Sequence, residues 1–194
     1  MHIDPTGGSW VSVRQAFADY GELLRKVARA KVLSIELAMM GFTNQTQSSI
    51  IECQNTLDAY GIDTPEEKAH FFAQCAAETN FGLWLTELGT ENYFNDNGYG
   101  IKYRGAGYIQ LTWDFNYKAF SKDIGDSRIY SEGAEYVATN YAWHAAGWFW
   151  ANNNMNDKIA NGATVSDITR VVRGSASGWE DRQKYYDQFI VIFS

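Results

Sequence analysis

Glu78 is the first candidate for chemistry. Within PEEKAHFFAQCAAET it shares one helical face with Phe71 and Cys75, at offsets of i, i+4 and i+7. A carboxyl at the end of an apolar stripe is costly to ionise without a partner, so it tends to keep its proton. A carboxyl protonated near neutral pH is what a general acid needs. The same spacing also fits a helix-end Glu that reaches solvent or pairs with an Arg.

Cleavage of a glycosidic bond needs a second carboxyl on the other side of the bond. Downstream acids are Glu87, Glu91 and Asp96. Glu87 follows Glu78 by nine positions, which on one continuous helix would put the two on opposite faces. A chain break at Gly82 would let Glu87 return across a cleft. Beyond these acids, GYIQLTW alternates with period two. Ile109, Leu111 and Trp113 fall on one face, and Tyr108, Gln110 and Thr112 on the other. That pattern predicts a short strand whose polar face could floor the cleft.

Several elements must position these groups. Residues 1–10 read as flexible. Residues 11–40 carry helical spacing through Val13, Phe17, Leu24 and Val27, and Gly21 could interrupt that helix. A helix is predicted from about Thr46 to Tyr60, stopping at Gly61. Another runs from 65 to about 79 and ends near Gly82. Thr64 caps it, Pro65 suits its first turn, and Glu66 and Glu67 favour its positive end. Residues 83–107 read as loop with a small hairpin. Residues 134–151 are apolar on nearly all sides and predict one buried central helix. SDITRVVRG and a last helix, GWEDRQKYYDQFIVIF, close the chain.

Four of these segments, in order, resemble glycoside hydrolase family 19, the chitinases and related phage and bacterial cell-wall lysins. FFAQCAAET is similar to the helix that carries that family's catalytic acid. YRGAGYIQLTWDFNY resembles its signature YRGRG-IQLT-x-x-x-NY. AAGWFW resembles its buried aromatic helix, and ITRVVRG with EDRQKYY resembles its closing segment. The likeness covers about residues 39–194, which divides the chain into an extension, 1–38, and a catalytic domain, 39–194.

The resemblance implies a mainly α (α+β) fold of lysozyme type. It would be a two-lobed helical domain with a small β-hairpin lobe beside the catalytic cleft. It implies Glu78 as general acid and Glu87 as general base, with Glu91 in reserve, and Thr112 holding the attacking water. Gln110 and Asn116 would bind the N-acetyl sugar, and Tyr103 and Trp113 would add to substrate binding. Arg182 would support the second carboxylate. The implied reaction is inverting, which asks for carboxyls roughly 6.5–9.5 Å apart. Three positions depart from the pattern: Ala106 replaces its second Arg, Ala77 its His, and Arg173 its Asn. The implied substrate is a polysaccharide, with peptidoglycan first and chitin second. A lytic transglycosylase, or a non-catalytic phage-particle or wall-binding protein that kept the fold, are the other readings.

Composition narrows the field. The 194 residues suit one domain, and a globule of this size buries roughly 70% of its unfolded surface. The net charge of −7 argues against a nucleic-acid partner and against adhesion to an anionic membrane. No stretch approaches the roughly 20 apolar residues of a membrane span, and no signal peptide is visible. A separate wall-targeting domain or subunit would suit so acidic a chain. Two cysteines, Cys53 and Cys75, and three scattered histidines offer no metal motif, and no cofactor is expected. Both cysteines read as buried free thiols, with a disulfide between neighbouring helices the alternative. His144 reads as a core histidine. G-x-G pairs in GYGIKYRGAG lack the strand-to-helix context of a phosphate loop. ELLRKVARAK reads as a solvated helix face, or one that docks a partner domain.

Overall fold

A computed structural model describes residues 10–194, so all but the last residue of the stretch expected to be flexible lies outside it. The fold is a set of helices in chain order. They are α1 (Trp10–Met40), α2 (Gln47–Tyr60), α3 (Pro65–Thr79), α4 (Glu91–Asp96), α5 (Asp114–Ile124) and α6 (Arg128–Glu132). α7 (Ala134–Asn140), α8 (Ala142–Asn152), α9 (Met155–Ala160), α10 (Val165–Arg173) and α11 (Trp179–Phe193) follow.

The caps explain the two helices that set up the site. The Thr46 side chain accepts the Ser49 N–H at the start of α2, and Gly61 ends it at φ 60°. Thr64 accepts the Glu67 N–H, and the Glu67 carboxylate in return accepts the N–H groups of Asp63 and Thr64, both at 2.9 Å. This reciprocal box satisfies donors that the first turn leaves open.

Three expectations need correction. Gly21 does not interrupt α1, which runs unbroken from Trp10 to Met40. Residues 134–151 form two helices, because the chain leaves helical geometry at Tyr141, φ −142° and ψ 29°. No strand forms over GYIQLTW, and the small β-hairpin lobe is not seen among the described residues. Isolated bridges at Thr86–Ala106 and Ala106–Leu111 are what remains of it. The backbone turns to positive φ at Gln110 (53°) and Trp113 (78°), which a strand cannot hold. Tyr108 is buried and Trp113 is 40% exposed, opposite to the alternation expected.

The core is aromatic. Phe42, Phe71, Phe72, Trp143 and Trp150 are fully buried and pack mainly edge to face. α2 and α8 cross closely at Gly147, where a Cβ would come within 2.4 Å of the Tyr60 ring. Tyr108 stacks on Trp143 with ring centroids 3.4 Å apart, and its hydroxyl accepts from Gln45 at 2.6 Å. Beside it, Gly107 approaches α8 so nearly that a Cβ would meet the Ala142 carbonyl at 2.7 Å. The signature loop is thus anchored to the centre of the core.

α1 is unlike the rest. Leu33, Leu37 and Met40 enter the core, but no residue between Ser12 and Val32 is buried. Phe17, Tyr20, Leu23, Leu24 and Val27 are each more than half exposed. The division expected between residues 38 and 39 falls inside this helix. Among the described residues, no helix is long and apolar enough to cross a membrane.

Candidate active site

Glu78 lies in the last turn of α3. Phe71 and Cys75 on its face are fully buried, and the Glu78 side chain keeps 17% exposure. Burial raises its pKa above the ordinary carboxylate value, and Arg182 and Arg173 partly offset that rise. The Arg182 guanidinium donates through Nη2 to Glu78 Oε1. Its Nε donates to Gln74 Oε1 at 2.7 Å, and its Nη1 to the Gly178 carbonyl at 3.1 Å. Gln74 Nε2 donates to Thr169 Oγ1 at 3.2 Å, and that hydroxyl donates to the Val165 carbonyl at 2.7 Å. The acid is therefore held by a buried polar chain across α3, α10 and α11. Arg182 contacts Glu78, and among the described residues its partners do not include Glu87, the second carboxylate it was expected to support. The cause is geometric: α11 packs along α3, which brings Arg182 to Gln74 and Glu78.

The chain reverses directly after Glu78. Asn80, Phe81 and Gly82 all take positive φ, at 48°, 59° and 84°. The Ala76 carbonyl accepts both the Asn80 and Phe81 N–H groups, which closes the helix in a Schellman-type turn. Thr79 Oγ1 accepts from Gly82 N at 2.8 Å and donates to the Cys75 carbonyl at 2.7 Å. A phenylalanine at positive φ is strained. Its ring is held between Phe42 and Tyr185, at 5.7 and 5.0 Å.

Glu87 sits on the returning arm. Its N–H donates to the Gly105 carbonyl at 2.8 Å, and its Oε2 accepts the Gly105 N–H at 3.0 Å. Its Oε1 accepts from Tyr99 at 2.8 Å and from Tyr93 at 3.3 Å. Hydrogen bonds arrive at this carboxylate from three residues. Glu91, by contrast, is exposed in the first turn of α4, with no such set of donors. Glu78 and Glu87 share no partner among the described residues.

Gln110 flanks Glu87 across Gly105. A Cβ on Gly105 would meet Gln110 Oε1 at 2.8 Å and Glu87 Cβ at 3.2 Å, so the close approach requires glycine. The Gln110 amide donates to the carbonyls of Trp84 and Gly107 at 3.3 and 3.1 Å. Thr112 Oγ1 gives its proton to the Gln110 carbonyl at 2.8 Å, and Asn116 Nδ2 donates to the Thr112 carbonyl at 2.8 Å. The Thr112 oxygen keeps lone pairs that can accept from water. Gln110, Thr112 and Asn116 thus come together as a hydrogen-bonded series, although on a turn.

The two aromatic candidates differ. Trp113 is exposed, meets Tyr99 edge to face at 5.3 Å and lies near-parallel to Phe115 at 6.2 Å. The Tyr103 hydroxyl goes to the Tyr130 carbonyl at 3.4 Å, and the two rings stack at 5.3 Å. Its carbonyl accepts the Trp113 N–H at 3.0 Å, so Tyr103 supports that ring's position.

Sequence reasoning missed Gln74, Thr169, Tyr93 and Tyr99. Gln74 had a signal: it is a polar residue one turn before Glu78, set between the apolar residues Phe71, Phe72, Ala73 and Cys75. No spacing pointed to the two tyrosines. Both cysteines are free and buried. The His144 ring lies among Tyr60, Phe120 and Tyr141, away from either carboxyl's partners. A concavity of about 430 Å³ lies between α1 and α2, bordered by Leu23, Val27, Ile50 and Gln54, and neither carboxyl lines it.

No family model matches the chain. Among curated proteins, it is 27% identical to Chitinase 6 of Oryza sativa subsp. japonica over 146 residues, which are 68% of this chain and 54% of that protein. It is 28% identical to Endochitinase CHI of Arabidopsis thaliana over 163 residues, 74% of this chain and 58% of that one. The chain spans about half the length of these curated relatives. Among solved structures, chitinase C from Streptomyces griseus matches with a TM-score of 0.69 at 24% identity, covering 84% of this chain and 92% of the other. A bacterial family 19 chitinase matches with a TM-score of 0.66 at 25% identity, covering 84% and 95%.

Proposed function

Because the chain is related in sequence and in fold to the family 19 chitinases, we propose that it is a glycoside hydrolase acting on β-1,4 bonds of an N-acetylated amino-sugar polymer. The observation that carries this reading is the contrast between its two carboxyls. Glu78 is half-buried at a helix end, and desolvation raises its pKa. Glu87 accepts hydrogen bonds from Tyr93, Tyr99 and Gly105. Glu78 donates a proton to the glycosidic oxygen as the bond breaks. Glu87 takes a proton from water attacking the opposite face of the sugar, which inverts the anomeric centre. The Thr112 hydroxyl oxygen accepts from that water. Gln110 and Asn116 bind the N-acetyl group, and exposed Trp113 gives the sugar ring an apolar surface.

Arg182 is a positioning residue in this scheme. Its bonds to Gln74 and Gly178 fix the guanidinium, which in turn fixes Glu78. Burial outweighs the two nearby cations, so the acid keeps an upward-shifted pKa.

Peptidoglycan is the substrate we favour, with residues 39–194 as the catalytic domain and 1–38 as an extension. An exposed Arg173, whose charge acts on Glu78, supports an anionic glycan as substrate. Chitin is the second reading, favoured by the names of the relatives. Product analysis by NMR and mass spectrometry on both polymers tests the scheme. Hydrolysed products released as the inverted anomer are expected. Anhydro-sugar ends would instead point to a transglycosylase, and retained configuration would remove Glu87 as the base.

A further inference from the structure

The family-like departure at Arg173 lies beside the acid, and its surroundings suggest a purpose. Arg173 is the last residue of α10 and is exposed. Its Nη1 donates to the Ser177 carbonyl at 2.8 Å. That bond ties the guanidinium to the loop joining α10 to α11. A Cβ on Gly178 would meet Arg173 Nη1 at 3.0 Å and Arg182 Nη1 at 3.3 Å, so the two guanidinium groups converge on one point. Their situations differ. The Arg182 side chain is 6% exposed and spends its donors on Glu78, Gln74 and Gly178. Arg173 has no carboxylate within ion-pair distance among the described residues. Its remaining N–H groups form no protein hydrogen bond there. Next in the chain after Gly178, Trp179 leaves its side chain 37% exposed.

We propose that Arg173 forms a subsite for a carboxylate carried by the glycan, next to the sugar whose bond Glu78 protonates. This deepens the proposed function and rests on it. A guanidinium fork binds a carboxylate through paired, charge-assisted hydrogen bonds. A neutral chitin chain offers no such group. A wall glycan offers one of two, the free lactyl carboxylate of a muramic residue that carries no peptide, or the carboxylates of a peptide amide-linked through that lactyl group. The chain as a whole carries −7, which repels an anionic polymer at long range. A local cation with free donors offsets that repulsion at the point of contact. Such a hydrogen bond to a charged group is worth about a tenfold to hundredfold preference.

The test compares kcat/KM for wild type, Arg173→Gln and Arg173→Lys at one pH on four probes. These are a chitin hexamer, a peptide-free glycan of alternating N-acetylglucosamine and N-acetylmuramic acid, that glycan with its lactyl carboxylates reduced to alcohols, and intact peptide-bearing glycan. The readout is the ratio of each wall glycan to chitin, because effects of Arg173 on Glu78 itself then cancel. We expect Arg173→Gln to lower the ratio about tenfold or more, with Arg173→Lys between it and wild type. A fall on the peptide-free glycan that carboxyl reduction reproduces in wild type assigns the lactyl group. A fall confined to intact glycan assigns the peptide. Ratios unmoved by Arg173→Gln, with wild type active, overturn the subsite alone. If wild type cleaves none of the four, the reading of the site and this inference fall together.

Discussion

Glu78 and Glu87 show how one residue type can meet two quite different surroundings. Glu78 meets a buried guanidinium at the end of an apolar stripe, and Glu87 meets two phenols and a backbone N–H. We propose Glu87 rather than exposed Glu91 as the base because Glu87 is the one held by three donors. Glu87→Gln should lower turnover at least roughly 10²-fold, the lower bound typical of general acid–base catalysis. Glu91→Gln should stay within about twofold of wild type, since an exposed residue without fixed partners has little to lose. Measured kcat/KM for the pair decides it, and the opposite ranking would move the base to Glu91. The buried face that carries Glu78 was legible from helical spacing, and pairing with an Arg was one of the readings left open, but which Arg was not legible. Arg182 lies 104 positions away, and no periodicity conveys a contact across that distance.

Elements framed by side-chain caps were readable. Thr46, Thr64 and Pro65 announce α2 and α3 because their local hydrogen bonds are dictated within a few residues. GYIQLTW was not, because alternation alone cannot reveal that Gln110 and Trp113 adopt positive φ. Its turns are stabilised by remote groups, chiefly Trp143 under Tyr108. A second contact of this kind joins α2 to α8. Half-buried Glu52 accepts the Trp143 and His144 N–H groups at 2.9 and 3.0 Å, at the start of α8. Burial raises its pKa to about 7, although these bonds pull it down. The unfolded value is roughly 4.3, so the folded state binds the proton more tightly. The associated stability is therefore complete below that value and is lost as pH rises through about 7. Glu52→Gln keeps an acceptor for both N–H groups but cannot ionise. Its Tm should consequently fall less than wild type's between pH 5 and pH 8. Parallel thermal melts across that range check this, and identical slopes would contradict it.

The whole molecule combines a compact helical domain with a helix that extends beyond it. Leu33, Leu37 and Met40 tie α1 to the core, whereas no residue from Ser12 to Lys31 is buried. Among the described residues, a cut after 31 takes away the Arg29–Asp58 and Lys26–Glu22 ion pairs and side chains that are exposed or half-buried. Surface losses of this kind usually cost within about 0.5 kcal/mol each. A chain starting at Val32 should therefore keep its kcat/KM and melt within a few degrees of the full one. A collapse in Tm would show that the extension supports the domain. The resemblance read from four segments conveyed this domain's helical fold. It could not convey how far α1 would run, because the likeness begins only at about residue 39, near the end of that helix.

The central claim is that Glu78 supplies the proton that breaks a glycosidic bond. The most direct measurement is hydrolysis of chitin oligomers and purified cell-wall glycan by wild type and Glu78→Gln, with circular dichroism confirming that both are folded. Wild type is expected to cleave at least one substrate, and Glu78→Gln to lose roughly 10²–10⁴-fold. Full activity in Glu78→Gln, or no cleavage of either polymer by wild type, would contradict the account.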